Sequence, residues 1–149
     1  MLNFDPKNKE WVINRIKDVI AEVLKVGTDS MTIDELATKQ DELAGLNALL
    51  GSYASQAYRE ADFAYIDRKI AFANQWNPTK QAMIQSMDTK PTVQDIETGV
   101  TKKIEDQMRE EIEKKHEADG MKILWDSTQQ VLNSWASTIR VKNDAITRH

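Results

Sequence analysis

Apolar side chains recur every three or four residues along almost the whole chain, and they alternate with polar ones over no more than about four residues at a time. Strands need a period of two, so the pattern predicts amphipathic helices throughout and no sheet. Val12, Ile16, Val19, Ile20 and Val23, widened by Ile13 and Leu24, form the first stripe. A helix is expected over Pro6–Lys25. Asp5 is its candidate N-cap, because a carboxylate accepts from an unpaired first-turn N–H. Pro6 suits the first helical position, and Gly27 offers a left-handed stop.

A second start lies at Thr32 and Glu35, which have capping-box spacing. Leu36, Leu43, Leu46, Leu50, Ala54, Ala57, Ala61, Ala64 and Ile70 are expected to line one long face. A kink or break is expected near Gly51, since glycine costs about 1 kcal/mol relative to alanine inside a helix. Asn77-Pro78 is expected to end this helix. A flexible link over residues 77–92 follows, with room for a short helix over Thr79–Met87. The next run, Val93, Ile96, Val100, Ile104, Met108 and Ile112, is narrow and flanked by charge, as in a coiled-coil seam. Gly120 marks the expected break, and the last helix is expected to begin near Met121. The expectation is an all-α protein: one helical domain over residues 1–149, an elongated bundle of long helices with a C-terminal amphipathic oligomerisation helix.

That last helix carries a broad apolar face with two tryptophans. Met121, Leu124, Trp125, Thr128, Val131, Leu132, Trp135 and Ile139 share it. The opposite face is not rich in Lys or Arg, which argues against a helix lying in a membrane surface. Core packing and a subunit seam both fit so wide a stripe. The candidate interface residues are Leu124, Trp125, Val131, Leu132, Trp135 and Ile139, because tryptophan is favoured as an interface anchor.

Composition narrows the class. A charged fraction of 30% with only 5 Gly and 3 Pro in 149 residues suits long helices rather than sheets or a disordered tail. The absence of cysteine excludes disulfides, thiolate zinc sites and a cysteine nucleophile. No apolar run reaches the roughly 18 residues of a spanning helix, and "MLNFDPKNKEW" is not a secretory signal. A cytoplasmic protein without membrane partners is expected. The net charge of −4 is uneven. The acidic surplus sits in residues 1–50 and 91–120, whereas 51–90 and 121–149 are mildly basic.

Catalytic chemistry finds no foothold. Glu113 and His116 have the i, i+3 spacing of a di-iron motif, but such sites need two copies and further carboxylates. The other histidine is His149. There is no glycine-rich phosphate loop and no nucleophile elbow. No catalytic residue, metal, cofactor or small-molecule substrate is implied, and no enzyme is expected. Binding is better represented. Tyr58 to Trp76 mixes Arg59, Arg68 and Lys69 with Tyr58, Tyr65, Phe72 and Trp76. Cations can track phosphates while aromatic faces stack on bases. The alternative is that the aromatics are core and the cations pair with Glu60, Asp62 and Asp67. Arg140, Lys142 and Arg148 form a second small basic cluster.

The order of parts resembles the UvsY family, the recombination mediators of tailed phages. The likeness covers about half the chain, from roughly residue 55 onward. It is carried by the basic/aromatic run "AYIDRKIAFANQW", the polar link "NPTKQAMIQSMDTKPT" and the terminal "MKILWDSTQQVLNSWASTIRVKNDAITR" with its Ile139-Arg140 turn. The resemblance implies a non-enzymatic phage protein, in the host cytoplasm, that forms homo-oligomers, binds single-stranded DNA and helps load a RecA-like recombinase. The family's basic DNA-binding motif maps most nearly onto Arg68-Lys69-Ile70, with Asp67 where a basic residue stands in the family. Arg59, Arg68, Lys69, Arg140 and Lys142 would hold phosphates, and Tyr65, Phe72 and Trp76 would stack. The alternative is a helical structural, scaffolding or host-inhibiting interaction protein with no nucleic-acid role.

Overall fold

The computed structural model of the protein describes residues 6–148. These form α1 (Pro6–Val26), a short 3-10 turn (Thr28–Ser30), α2 (Ile33–Ser86), α3 (Val93–Lys103) and α4 (Glu105–Thr147). Among the described residues there is no strand, and no helix is long and apolar enough to cross a membrane. The protein is all-α.

Local chemistry sets several boundaries. Gly27 ends α1 at φ 87°, a left-handed conformation that glycine adopts without steric cost. The Thr32 hydroxyl accepts from the Glu35 N–H at 3.1 Å, and the Glu35 carboxylate accepts from the Thr32 N–H at 3.0 Å. That reciprocal box starts α2. Thr92 and Asp95 repeat it at the start of α3. The proposed cap Asp5 lies outside the described residues.

Asp95 is held below the usual aspartate range, first by the Thr92 backbone N–H and then by the Thr92 side chain. A depressed folded-state pKa contributes stability that is present above the ordinary aspartate value. It is lost as the pH falls through the lowered one. Replacing Thr92 with valine removes the hydroxyl, the smaller of the two causes. NMR titration of that variant should find the Asp95 pKa raised part of the way back.

The chain divides into two compact units: residues up to Ser55 with those from Asp119 onward, and Gln56–Ala118. Helices α2 and α4 each run through both. In the first unit, Arg15 of α1 binds Glu42 of α2 at 2.6 Å, and Lys39 of α2 binds Glu22 of α1 at 2.5 Å. Val12, Ile16, Val19 and Val23 are buried there with Leu36, Leu43, Leu46 and Leu50. α4 lies antiparallel to α2. The Gln40 amide donates to the Leu132 carbonyl at 3.5 Å, and the Asn47 amide donates to the Trp125 carbonyl at 3.4 Å. In the second unit, Ala57 and Ala64 of α2, Ile96 and Val100 of α3, and Ala118 of α4 are buried.

The long helices correct several expectations. Asn77-Pro78 does not end α2, which runs on to Ser86 with Pro78 inside it. The expected short helix over Thr79–Met87 is its last turns, so the link shrinks to residues 87–92. Pro78 and Asn74 are both exposed. The Asn74 carbonyl that loses its i+4 donor is therefore on the wet side, where water can replace it. Gly51 and Gly120 break nothing. At Gly51 an added Cβ would sit 3.0 Å from the Trp125 indole Nε1, so the glycine makes room for a ring. α4 passes through Gly120 and begins at Glu105, not near Met121. The break falls instead at Ile104, with φ −110° and ψ 22°. The Ile104 N–H still reaches the Val100 carbonyl at 3.2 Å, and its carbonyl accepts from Met108 at 3.0 Å. Leu24, Ile70, Val93 and Ile112, placed on apolar stripes, are exposed. Leu24, Val93 and Ile112 lie at the edge or end of their stripes, and Ile70 lies on the side of α2 opposite Ala61.

Gly45 and Gly120 have nothing within 4 Å of an added Cβ. Both are exposed positions inside helices. Gly45→Ala and Gly120→Ala should each raise stability by about 0.5–1 kcal/mol, measured as a higher urea midpoint at unchanged slope.

Candidate binding surface on the middle of α2

From Gln56 to Ser86, α2 belongs to the second unit. Ala57, Ala64 and Thr79 mark its packed side. Small side chains there let the neighbouring helices approach. Arg68 is on this side too, and its Nε lies 2.5 Å from Glu111 Oε2 of α4. Lys114 of α4 reaches Glu60 at 3.5 Å. The alternative in which Arg59, Arg68 and Lys69 pair with Glu60, Asp62 and Asp67 is not what forms: Arg68 pairs across to α4, and Glu60 takes its cation from α4. An i to i+4 pair along one helix cannot be told from an interhelical pair until the partner helix is in place.

The predicted nucleic-acid residues separate into groups. Arg59, Tyr65 and Lys69 are exposed. The Tyr65 ring has the Lys69 ammonium 4.8 Å and the Arg68 guanidinium 5.3 Å from its centroid. Arg68 is tied to Glu111 and its charge is largely neutralised. Phe72 and Trp76 are half-buried and rest on each other, centroids 5.6 Å apart at 43°. Arg140 and Lys142 belong to the other unit. Arg140 is exposed. Lys142 donates to the carbonyls of Met31 and Asp29, closing the end of α4 on the turn before α2. Of the predicted interface residues, Leu132 and Trp135 are buried within the chain, and Leu124, Trp125, Val131 and Ile139 are half-buried. Glu113 and His116 are both exposed. Among the described residues no three His, Asp or Glu side chains come together in a metal-binding group.

The sequence reading missed the outward side of the same helix. Phe63, Ile66 and Ile70 are 59%, 48% and 53% exposed. At about 100° per residue they share an arc of roughly 60°, turned away from Ala57 and Ala64. Their i, i+3, i+7 spacing was a visible signal, hidden by assigning Ile70 to the inner face.

The Arg68–Glu111 pair is about three-quarters buried on both sides. Arg68→Ala should therefore cost about 1 kcal/mol, above the median for exposed pairs. A double-mutant cycle with Glu111→Ala, read by urea unfolding, should return most of that as coupling.

The fold and this surface define an all-α protein of long paired helices with a part-apolar, part-cationic outward face. No protein-family model, curated protein or solved structure matches the chain.

Proposed function

We propose that this is a non-catalytic helical interaction protein whose docking surface is the outward face of α2. One observation carries the reading. Phe63, Ile66 and Ile70 form a stripe on the side of α2 away from its packed face, about half exposed. Folding gains little from such side chains, and contiguous exposed apolar patches mark interaction sites. The test is Ile66→Glu combined with Ile70→Glu. The pair should leave the unfolding free energy within about 1 kcal/mol of the parent, as for surface substitutions. It should also cut binding of an apolar dye to the dilute native protein several-fold. A loss of stability above about 2 kcal/mol would place the stripe in the fold and end this reading.

A second reading rests on Tyr65, an exposed ring with Lys69 against it. With Arg59 it retains the basic/aromatic character that single-strand binding requires. In a UvsY-like mediator this patch would hold DNA and help load a RecA-like recombinase. Anisotropy of a labelled single-stranded oligonucleotide would then rise on titration and fall steeply with salt. Arg59→Glu with Lys69→Glu would abolish it. Arg68 is a poor probe, because reversing it also breaks its pair with Glu111. A flat titration at low salt removes the single-strand reading and leaves the apolar surface.

A further inference from the structure

We infer that the outward stripe of α2 is a self-association seam, in which two copies of this chain pair their α2 helices antiparallel beside Ile66. The inference rests on the reading of the stripe as a docking surface and names its occupant.

The charges bordering the stripe select the partner. Asp62 and Lys69 are exposed and lie seven residues apart. Two helical turns place them on the same flank, within about 20° of each other around the helix. Among the described residues neither has an ion-pair partner; Lys69 rests only against the Tyr65 ring. In an antiparallel two-fold pair, a flank meets the same flank of the other copy. Asp62 then lies level with Lys69 of the second copy, and the symmetry makes the pair twice. The same register seats Phe63 of one copy between Ile66 and Ile70 of the other, as knobs enter holes. Ile66 falls beside the axis. A parallel pair would set this flank against the other: Lys69 would approach Asp67, but Asp62 would be left beside Glu60, already paired with Lys114, with no cation of its own.

One contact in the antiparallel pair is unfavourable. Asp67 comes near its own counterpart on the second flank. Glu60, on that flank too, is neutralised by Lys114. Centred beside Ile66, a seam that begins at Arg59 ends level with Phe72 and is about 20 Å long. A single helix pair of that length belongs with small, transient interfaces, below roughly 1,200 Å² in total. The expected dimer is therefore weak and concentration-dependent.

Sedimentation velocity of the full chain, from low to high micromolar, tests it. The parent should pass from monomer to dimer. Ile66→Glu with Ile70→Glu should stay monomeric throughout at unchanged helicity. Asp62→Lys alone and Lys69→Asp alone should each weaken the dimer several-fold, and the two together should restore it. Because the chain has no cysteine, a single Ile66→Cys provides a second readout. It should oxidise to a disulfide-linked dimer much faster than Leu24→Cys, whose position is exposed but off the seam. A parent that remains monomeric, a dimer indifferent to the Ile66/Ile70 change, or no rescue by the double charge swap overturns the inference. If the parent is monomeric while the stripe substitutions remove dye binding without destabilising the fold, self-pairing falls and the docking surface stands. If the same substitutions unfold the protein, both fall.

Discussion

Trp135→Ala is expected to lower the unfolding free energy by about 3–5 kcal/mol, by the same amount at every protein concentration. Trp135 is 5% exposed within a single chain. It continues a buried row on α4 that includes Met121, Thr128 and Leu132. The polar member of that row is satisfied, because the Thr128 hydroxyl donates to the Leu124 carbonyl at 2.8 Å. The row therefore buries no orphan hydroxyl, and removing the indole leaves a cavity that rigid helices close only in part. Concentration separates the two roles open to this tryptophan. An anchor between subunits stabilises by mass action, so its loss would shrink on dilution. A core side chain shows no such dependence. Urea unfolding of parent and variant at two widely spaced concentrations decides between them.

Gly99→Leu is expected to cost about 1–3 kcal/mol, or to leave the second unit poorly packed, whereas Gly99→Ala should fall near neutral. A Cβ on Gly99 would lie 2.5 Å from Met83 Cε and 2.9 Å from Thr79 Cγ2. The methionine tip is flexible and can swing aside. The threonine is β-branched, buried and stiff. Alanine gains about 1 kcal/mol of helix propensity over glycine, which offsets the displacement it forces. Leucine gains no more propensity and brings three further carbons into a filled contact, where overpacking costs of this order are usual. Thermal unfolding of the two variants beside Gly45→Ala, where the space is open, separates contact from propensity.

Those glycines show where reading the chain stops. Gly45, Gly51, Gly99 and Gly120 look alike in sequence, each a weak point in a helix. Gly51 and Gly99 are occupied by contacts from Trp125 and from Thr79 with Met83, while Gly45 and Gly120 face open space. The Gly51–Trp125 contact joins residues more than seventy positions apart, beyond the reach of any local pattern. Ile70 belongs to the binding surface. Its miss is of another kind: six residues from Ala64 and nine from Ala61 place it about 120° and 180° away around the helix, so the period itself already turned it outward. Arg68 had Asp62 and Asp67 close before it in sequence, yet its carboxylate is Glu111 on another helix.

The sequence by itself determined the all-α class, the stop at Gly27, the capped start at Thr32 and the buried face of α1. Each depends on residues within a few positions of one another, through backbone hydrogen bonds and helical period. The Thr92–Asp95 box is equally local, and the reading of the chain passed over it. Tertiary structure alone decided that α2 continues through Pro78, that α4 starts at Glu105, and that Trp135 is buried in its own chain. The physical reason is common to all of these. A break costs or saves a few kcal/mol locally, and an amphipathic face fixes only which residues are apolar. Whether a helix runs on, and what its apolar side meets, depends on the helices packed beside it.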